Sequence, residues 1–425
     1  MQFSVNNFRS IKDTVTFNMN TATNKESDHS FQVRNTHLLN SAVIYGANAS
    51  GKSNVLKAMA FMRLLVLNKL KITQSTDKLP HEPFRLSTET EQASSYFEMV
   101  FFLGNTKYRY GFEADSTTVY AEWLFSDESG KEARLFERDS EQKLNYVNKQ
   151  KFKEGVGLKV PDNQLFIWKC DQNDGDISKK ILQWFVRFNF IDGLESEDYL
   201  NFAITKMAES GTKAKLLKLV KTADLGIDDI AIGHKDVTNA ATQQFMNNPA
   251  INQKLLHEVN NGASGWIESL QSRHKKFNAE NQEIDTVLFE LDEDESQGTQ
   301  KFFALSVPIL DTLENGGVLL IDELDASLHP LLTECFIKLF NNKDLNKHNA
   351  QLIFATHDIH LLSVAELFER DQIWFTEKNK YGSTTLYSLL EFRKNNKGKD
   401  VRATDNLEKH YLQGRFGAVP YIGML

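Results

Sequence analysis

The sequence predicts an α/β fold, and three short apolar runs carry this prediction. Residues 42–45, 318–321 and 352–356 are continuous apolar segments of the kind that form buried central strands of parallel sheets. Residues 54–62 follow the first run and have the apolar spacing of an amphipathic helix. Strands and helices that alternate in this way are typical of α/β proteins, so we expect these runs to join in one body.

The segment between the first strand and its helix carries the clearest motif. Residues 46–53 read Gly-Ala-Asn-Ala-Ser-Gly-Lys-Ser and match G-x-x-x-x-G-K-[ST], the phosphate-binding loop of nucleotide hydrolases. Its glycines let the backbone wrap a phosphate chain, and the positive end of the helix faces the same anion. We expect Lys52 to reach the β- and γ-phosphates of ATP, and Ser53 to bind Mg²⁺. The alternative, a glycine-containing turn with an unrelated lysine, is disfavoured by the flanking strand and helix. The predicted nucleotide-binding residues are Gly46, Asn48, Ala49, Ser50, Gly51, Lys52, Ser53 and Asn54.

The second apolar strand ends in two acids, Asp322 and Glu323. At the carboxyl end of a central strand, Asp322 is predicted to hold Mg²⁺, directly or through water. Glu323 is predicted to orient and polarise the water that attacks the γ-phosphate. The alternative is a strand that ends in a solvated acidic turn, and the phosphate-binding loop elsewhere in the chain makes that alternative less favourable.

Two weaker motifs flank the acidic strand. Residues 296–300 read Ser-Gln-Gly-Thr-Gln, and the third apolar strand ends in His357. Alone, Ser-x-Gly-Thr would be an ordinary helix N-cap. In their order along the chain, these motifs resemble those of the ABC-type ATPases, with residues 324–330 similar to the D-loop. The resemblance implies that Ser296, Gly298 and Thr299 form an S-x-G-T signature that contacts the γ-phosphate, as in OLD-like prokaryotic defence ATPases, and that His357 is the catalytic switch histidine.

The resemblance reaches both ends of the chain. Residues 7–12 are similar to the N-terminal strand and turn of SMC-like and OLD-like ATPases, which are classed among the AAA proteins. Residues 83–86, 96–102 and 108–112 resemble the β-rich part that follows the first helix in those proteins. Residues 411–420 are similar to the C-terminus of abortive-infection ATPases, including those paired with HNH-nuclease partners.

These observations predict three segments. Residues 1–145 form the N-terminal half of an ABC-type ATPase core, with a β-rich region, and residues 285–425 form the C-terminal half. Residues 146–284 form a mainly helical insertion, because the short amphipathic patterns at 216–220 and 251–259 are too interrupted for the coiled coil of an SMC protein. One short apolar run of this segment carries four aromatic residues that are interpreted as core rather than as a base-stacking platform; they are Trp184, Phe185, Phe188 and Phe190.

Composition narrows the class of protein. The 425 residues include only two cysteines, and no apolar stretch approaches the roughly 20 residues that cross a bilayer, so we expect a cytoplasmic protein without membrane contact. The net charge of −8 does not favour nucleic acid, although a local basic patch could still bind DNA. His234, His257 and His274 have no metal-ligand spacing. The acids at 292–295 are interpreted as a charged loop, or as acids placed near a helix N-terminus.

The motifs predict ATP binding and hydrolysis, and the resemblance implies that the protein is the sensor or controller of an anti-phage or abortive-infection system. Its cofactors are ATP and Mg²⁺. The resemblance implies a homodimer or a higher homo-oligomer, because each composite site takes its loop and its signature from different subunits. It also implies a separately encoded effector, a nuclease or a toxin. The alternatives are a DNA-repair or chromosome-maintenance ATPase that binds DNA directly, and a nucleotide-gated scaffold with negligible turnover.

Overall fold

The computed structural model describes residues 1–22, 26–140, 144–193, 197–207, 211–236, 266–364, 366–392 and 406–419. The chain divides into two compact units. The first comprises Met1–Gly193, Thr312–Ala326 and Thr333–Leu425, and the second comprises Leu194–Asp311 and Ser327–Leu332. No helix among the described residues is both long and apolar enough to cross a membrane.

The strands, in chain order, are β1 (Gln2–Asn6), β2 (Val15–Asn18), β3 (Ser30–Val33), β4 (Thr36–Leu39), β5 (Ser41–Gly46), β6 (Ser95–Leu103), β7 (Thr106–Ala114), β8 (Val119–Asp127), β9 (Glu132–Asp139), β10 (Leu144–Val147), β11 (Phe188–Asp192), β12 (Asp229–Asp236), β13 (Trp266–Phe277), β14 (Glu283–Glu290), β15 (Val318–Asp322), β16 (Gln351–Ala355), β17 (Ile373–Lys378) and β18 (Thr384–Ser388). The helices are α1 (Lys52–Val66), α2 (Phe166–Gln172), α3 (Asp176–Val186), α4 (Glu197–Met207), α5 (Thr212–Thr222), α6 (Gln297–Asn315), α7 (Pro330–Asn341) and α8 (Leu407–Leu412).

The first unit contains the sheet that the apolar runs predict. Its strand order is β11-β15-β16-β5-β17-β18, and all neighbours are parallel except the last pair. Every residue of β5, β15 and β16 is buried, as continuous apolar sequences require. Helix α1 packs on this sheet, and its buried side chains recur at helical spacing on one face, among them Val55, Met59 and Met62. The predicted α/β fold class is confirmed.

The N-terminal β-rich region forms the second large sheet of this unit. Seven antiparallel strands run in the order β10-β9-β8-β7-β6-β1-β2. In β6, buried and less buried residues alternate, which is the pattern of a strand with one face on a core. Strands β3 and β4 form a separate two-stranded sheet.

The middle of the chain is organised differently from the predicted insertion at 146–284. Residues 146–193 fall in the first unit, because β11 pairs with β15 and Phe188 lies beside Val318 in that register. Phe185 and Phe188 are fully buried, and Trp184 and Phe190 pack against the same core, so their interpretation as core is confirmed.

The second unit has strands as well as helices, where the sequence patterns indicate mainly helices. Strands β12, β13 and β14 form an antiparallel sheet, and α4 and α5 lie in the same unit. The first six residues of β14 are all exposed, so no apolar alternation marks it as a strand. The pattern at 251–259 and His257 lie outside the described residues.

Candidate functional site

The phosphate-binding motif forms the turn between β5 and α1. Strand β5 ends at Gly46, and α1 begins at Lys52. Gly51 has a φ of 111°, and a Cβ atom there would lie 2.2 Å from the Thr384 hydroxyl oxygen. A Cβ atom at Gly46 would lie 2.5 Å from the hydroxyl oxygens of Ser50 and Thr376. Both positions therefore require glycine, because a side chain at either one would be too close to neighbouring atoms. Gly51 also has a backbone conformation that favours glycine.

Lys52 lies inside this turn. Its side chain is 5% exposed, and Nζ donates hydrogen bonds to the carbonyl oxygens of Gly46 (2.8 Å) and Ala47 (3.4 Å). Burial lowers the pKa of the Lys52 ammonium to about 8, and the nearby carboxylates of Asp322, Glu323 and Asp325 counteract part of that shift. A cation is thus held in the loop, close to the acids at the end of β15.

Ser53, near the start of α1, contacts Asp322 at the end of β15. Asp322 is 4% exposed, and the Ser53 side chain makes a hydrogen bond with it. The Oδ1 atom of Asp322 is buried and has no hydrogen-bond partner. Burial raises the pKa of this carboxyl, the Ser53 hydrogen bond and Lys57 lower it, and Asp192 and Glu323 raise it further.

This pair fits a magnesium ion. A buried carboxylate oxygen without a partner is costly unless a cation or donor satisfies it, and Mg²⁺ prefers oxygen ligands with several waters or phosphate oxygens. Among the described residues no group of three or more His, Cys, Asp or Glu side chains could hold a metal.

Asp192 adds a second acid beside Asp322. Strand β11 pairs with β15 so that these two residues lie opposite one another. The Lys57 ammonium on α1 is 3.7 Å from the Asp192 carboxylate. This ion pair connects the helix that follows the loop to the strand beside the acidic motif. Sequence reasoning missed Asp192 because nothing in the local pattern predicts that β11 belongs to this sheet.

Glu323 and His357 complete the cleft. Together with residues 48–54 and Lys378 they line a space of about 670 Å³. Glu323 has a φ of 52°, a left-handed conformation that non-glycine residues adopt infrequently. The backbone N–H of His357 points to the Asp325 carboxylate, at 3.3 and 3.4 Å from its oxygens. The structure therefore brings the loop, Asp322, Glu323 and His357 together in the first unit.

The serine-glycine motif belongs to the second unit. The Ser296 hydroxyl accepts a hydrogen bond from the Thr299 N–H (3.2 Å) and lies 2.9 Å from the Thr299 hydroxyl. A Cβ atom at Gly298 would lie 3.0 Å from the Ser327 carbonyl oxygen. Ser296 is therefore an N-cap at the start of α6.

The acidic segment before this motif is anchored to the three-stranded sheet. The Glu295 carboxylate accepts a hydrogen bond from the Ser272 hydroxyl (2.5 Å) and lies 2.7 Å from Nε2 of His274. Gln300 donates from its side chain to the Glu295 carbonyl oxygen (3.0 Å). Glu295 thus fixes the start of α6 to β13, rather than being part of a solvated loop.

A series of side-chain hydrogen bonds surrounds the loop. These bonds were not predicted from the sequence. The Asn54 side chain donates to the Ser10 hydroxyl (2.6 Å), which lies 2.8 Å from the Thr384 hydroxyl. Thr384 donates to the Ser50 carbonyl oxygen (2.9 Å), and the Ser50 hydroxyl lies 2.7 Å from that of Thr376. The N-terminal turn and the β17–β18 hairpin therefore hold the loop from two sides.

A second cleft adjoins the first. It measures about 760 Å³ and shares Asn54 and Lys378 with the cleft around the loop. Arg9 and Ser10 from the N-terminal turn line it, together with residues 81–86, 91, 92 and 382. Of these residues, only Asn54 is among the nucleotide-binding residues predicted from the sequence.

The chain matches one family model and is similar to two solved structures described below. The chain is similar to the SMC head domain from Thermotoga maritima, with a TM-score of 0.40 and 13% identity over 91% of this chain and 97% of that one. The SMC head bound to the C-winged helix domain of ScpA gives the same TM-score and identity, over 91% and 96%. No curated protein matches the chain. Residues 41–363 match the family model described as "AAA domain, putative AbiEii toxin, Type IV TA system", and because this match spans most of the chain, the protein belongs to that family.

Proposed function

We propose that this protein binds ATP with Mg²⁺ and hydrolyses it in the cytoplasm. The observation that carries the proposal is the buried, unpartnered Oδ1 atom of Asp322, next to Ser53 and at the loop that holds Lys52. When bound, Mg²⁺ would be held by Ser53 and Asp322 and would neutralise charge on the phosphates. The membership of an AAA family supports the same nucleotide chemistry.

The role of each residue in the site follows from its charge and its position. Gly46, Gly51 and the intervening backbone cradle the phosphate chain, and the N-terminus of α1 supplies a positive dipole. Lys52 exchanges its bonds to the loop carbonyls for bonds to the β- and γ-phosphates. Glu323 accepts the proton of the attacking water, and His357, which lines the same cleft, contacts the γ-phosphate.

Phosphate release from ATP tests this proposal directly. Wild-type protein is expected to hydrolyse ATP only with Mg²⁺. Lys52→Ala should weaken ATP binding and lower phosphate release, because the ammonium group that faces the phosphates is removed. Lys69→Ala is the matched control, since Lys69 is an exposed lysine just beyond the end of α1. Negligible turnover by wild-type protein that binds ATP would favour a nucleotide-gated scaffold instead.

We propose that the active form is a homodimer or a higher homo-oligomer. The chain has one phosphate-binding loop and one serine-glycine motif, and the described residues that line the cleft belong to the first unit. In the ABC arrangement, Ser296, Gly298 and Thr299 of one subunit contact the γ-phosphate bound to the other. An N-capped helix start suits that role, because the positive end of a helix dipole attracts anions.

Mixed subunits test the shared site. Lys52→Ala and Ser296→Arg subunits are each expected to be inactive alone. A mixed dimer keeps one site with both the loop and the signature intact, so mixing should restore part of the activity. Ultracentrifugation with ATP gives the oligomeric state. A fully active monomer at all concentrations would contradict the shared site.

We propose that the ATPase controls a separately encoded effector, a nuclease or a toxin. The family description names a putative toxin and a toxin–antitoxin system, and the C-terminal residues resemble abortive-infection ATPases. Affinity purification from the native host, in wild-type and Glu323→Gln backgrounds, should recover an effector whose binding depends on the nucleotide state. Recovery of no partner, with DNA cleavage or remodelling by the purified protein alone, would favour a DNA-maintenance ATPase.

A further inference from the structure

Lys378 lies at the end of a strand that runs beside the phosphate-binding loop. Strand β17 is parallel to β5, and Thr376 is opposite Gly46 in that register. Side chains two residues apart on a strand point to the same face, so Lys378 shares a face with Thr376. The Thr376 hydroxyl lies 2.7 Å from that of Ser50. This face of the strand is therefore the one turned towards the loop.

The backbone of Lys378 is held in place by the hairpin. Lys378 pairs with Thr384 across the β17–β18 ladder. Thr384 donates from its hydroxyl to the Ser50 carbonyl oxygen (2.9 Å) and from its backbone N–H to the Ser10 carbonyl oxygen (2.7 Å). The strand end that carries Lys378 is thus fixed against both the loop and the N-terminal turn.

Lys378 lines both clefts, the one around the loop and the adjoining one beside Arg9, and Asn54 is the other residue common to both. Lys378 is exposed, unlike Lys52, which donates to carbonyl oxygens of the loop itself. An extended anionic ligand that continues from the first cleft into the second must pass this ammonium group.

We propose that Lys378 binds the phosphate chain of the nucleotide, at a phosphate that ATP and ADP share. This inference rests on the proposed function, since it needs a nucleotide in the first cleft. Lys378 and Asn54 line both clefts, whereas Glu323 and His357, which would serve the γ-phosphate, line only the first of the two. A charge-assisted hydrogen bond to phosphate then contributes to the affinity for both nucleotides.

Equilibrium binding of ATP and ADP to the full chain tests the role of Lys378. Lys378→Gln keeps most of the side chain and removes the charge, and it should weaken the binding of both nucleotides about ten-fold. Lys378→Arg keeps the charge and should restore most of the affinity. Lys380→Gln is the matched control, because Lys380 is an exposed lysine of the same hairpin that does not line either cleft. Thermal melting should show that all three variants are folded.

The outcomes separate this inference from the proposed function. Wild-type protein that binds neither ATP nor ADP would contradict the proposed function itself. Wild-type protein that binds ATP, with a Lys378→Gln variant that binds it equally well, would overturn only the role of Lys378. Equal losses in Lys378→Gln and Lys380→Gln would also overturn it, since they would show a general charge effect. A loss for ATP without a loss for ADP would overturn the assignment to a shared phosphate.

Discussion

Substitution of Gly51 by alanine should damage the phosphate-binding loop through a contact that is visible in the structure. Gly51 has a φ of 111°, outside the region that non-glycine residues normally adopt. The added Cβ atom would lie 2.2 Å from the Thr384 hydroxyl oxygen and 2.6 and 2.9 Å from two of its carbon atoms. The two segments must separate to ordinary contact distances, and Thr384 is the residue that holds Ser50 and Ser10 together.

The magnitude follows from two terms. A left-handed backbone costs alanine about 1–2 kcal/mol, and overpacking adds about 1–3 kcal/mol, so the free energy of unfolding should fall by about 2–5 kcal/mol. Gly104→Ala is the matched control. Gly104 has a φ of 55°, and an added Cβ atom there would meet no atom within 4 Å. That variant should lose only the backbone term.

Urea denaturation and ATP turnover measure the two consequences of Gly51→Ala. A displacement of the loop by about 1 Å should lower turnover on the order of 100-fold, whereas Gly104→Ala should keep wild-type turnover. Equal stability of the two alanine variants, with normal ATP turnover in Gly51→Ala, would refute the argument that the hairpin sets the shape of the loop.

Three further predictions concern charge and assembly. ATP affinity should fall as pH rises through about 8, because Lys52 is protonated below its lowered pKa and neutral above it. Isothermal titration with ATP at several pH values measures this fall, and Lys52→Ala should not show it. Asp322→Asn should abolish the strengthening of ATP binding by Mg²⁺ but leave the affinity in EDTA unchanged; an unaltered Mg²⁺ effect would contradict the assigned ligand. Glu295→Gln should lower turnover about ten-fold without changing the affinity of the first cleft for ATP, because it weakens the contacts that fix the start of α6. A parallel loss of ATP affinity would instead indicate general destabilisation.

The loop and the acidic strand could be predicted from the sequence because their geometry is local. Gly46 and Gly51 are needed within eight consecutive residues, and Lys52 and Ser53 begin the helix that follows. The buried strand before Asp322 is visible as an uninterrupted apolar run. Such features depend on neighbours in the chain, which a single sequence displays directly.

The other residues of the site depend on pairings between distant parts of the chain. Thr376 and Lys378 lie beside the loop only because β17 pairs with β5, more than 300 residues away in sequence. Asp192 reaches Asp322 only through the β11–β15 pair. Strand β14 was not predicted for a different reason. Most of its residues are exposed, so burial imposes no alternation of apolar and polar residues on it.

Turnover and ATP binding by Glu323→Gln test the central claim most directly. The amide keeps the shape of the side chain but cannot accept a proton, so hydrolysis should fall by about 10²–10⁴-fold. ATP binding should remain, because the amide leaves the loop and Lys52 unchanged, and the bound nucleotide should be recovered as ATP rather than ADP. Comparable hydrolysis by wild type and Glu323→Gln would contradict the assignment of Glu323 as the group that activates water.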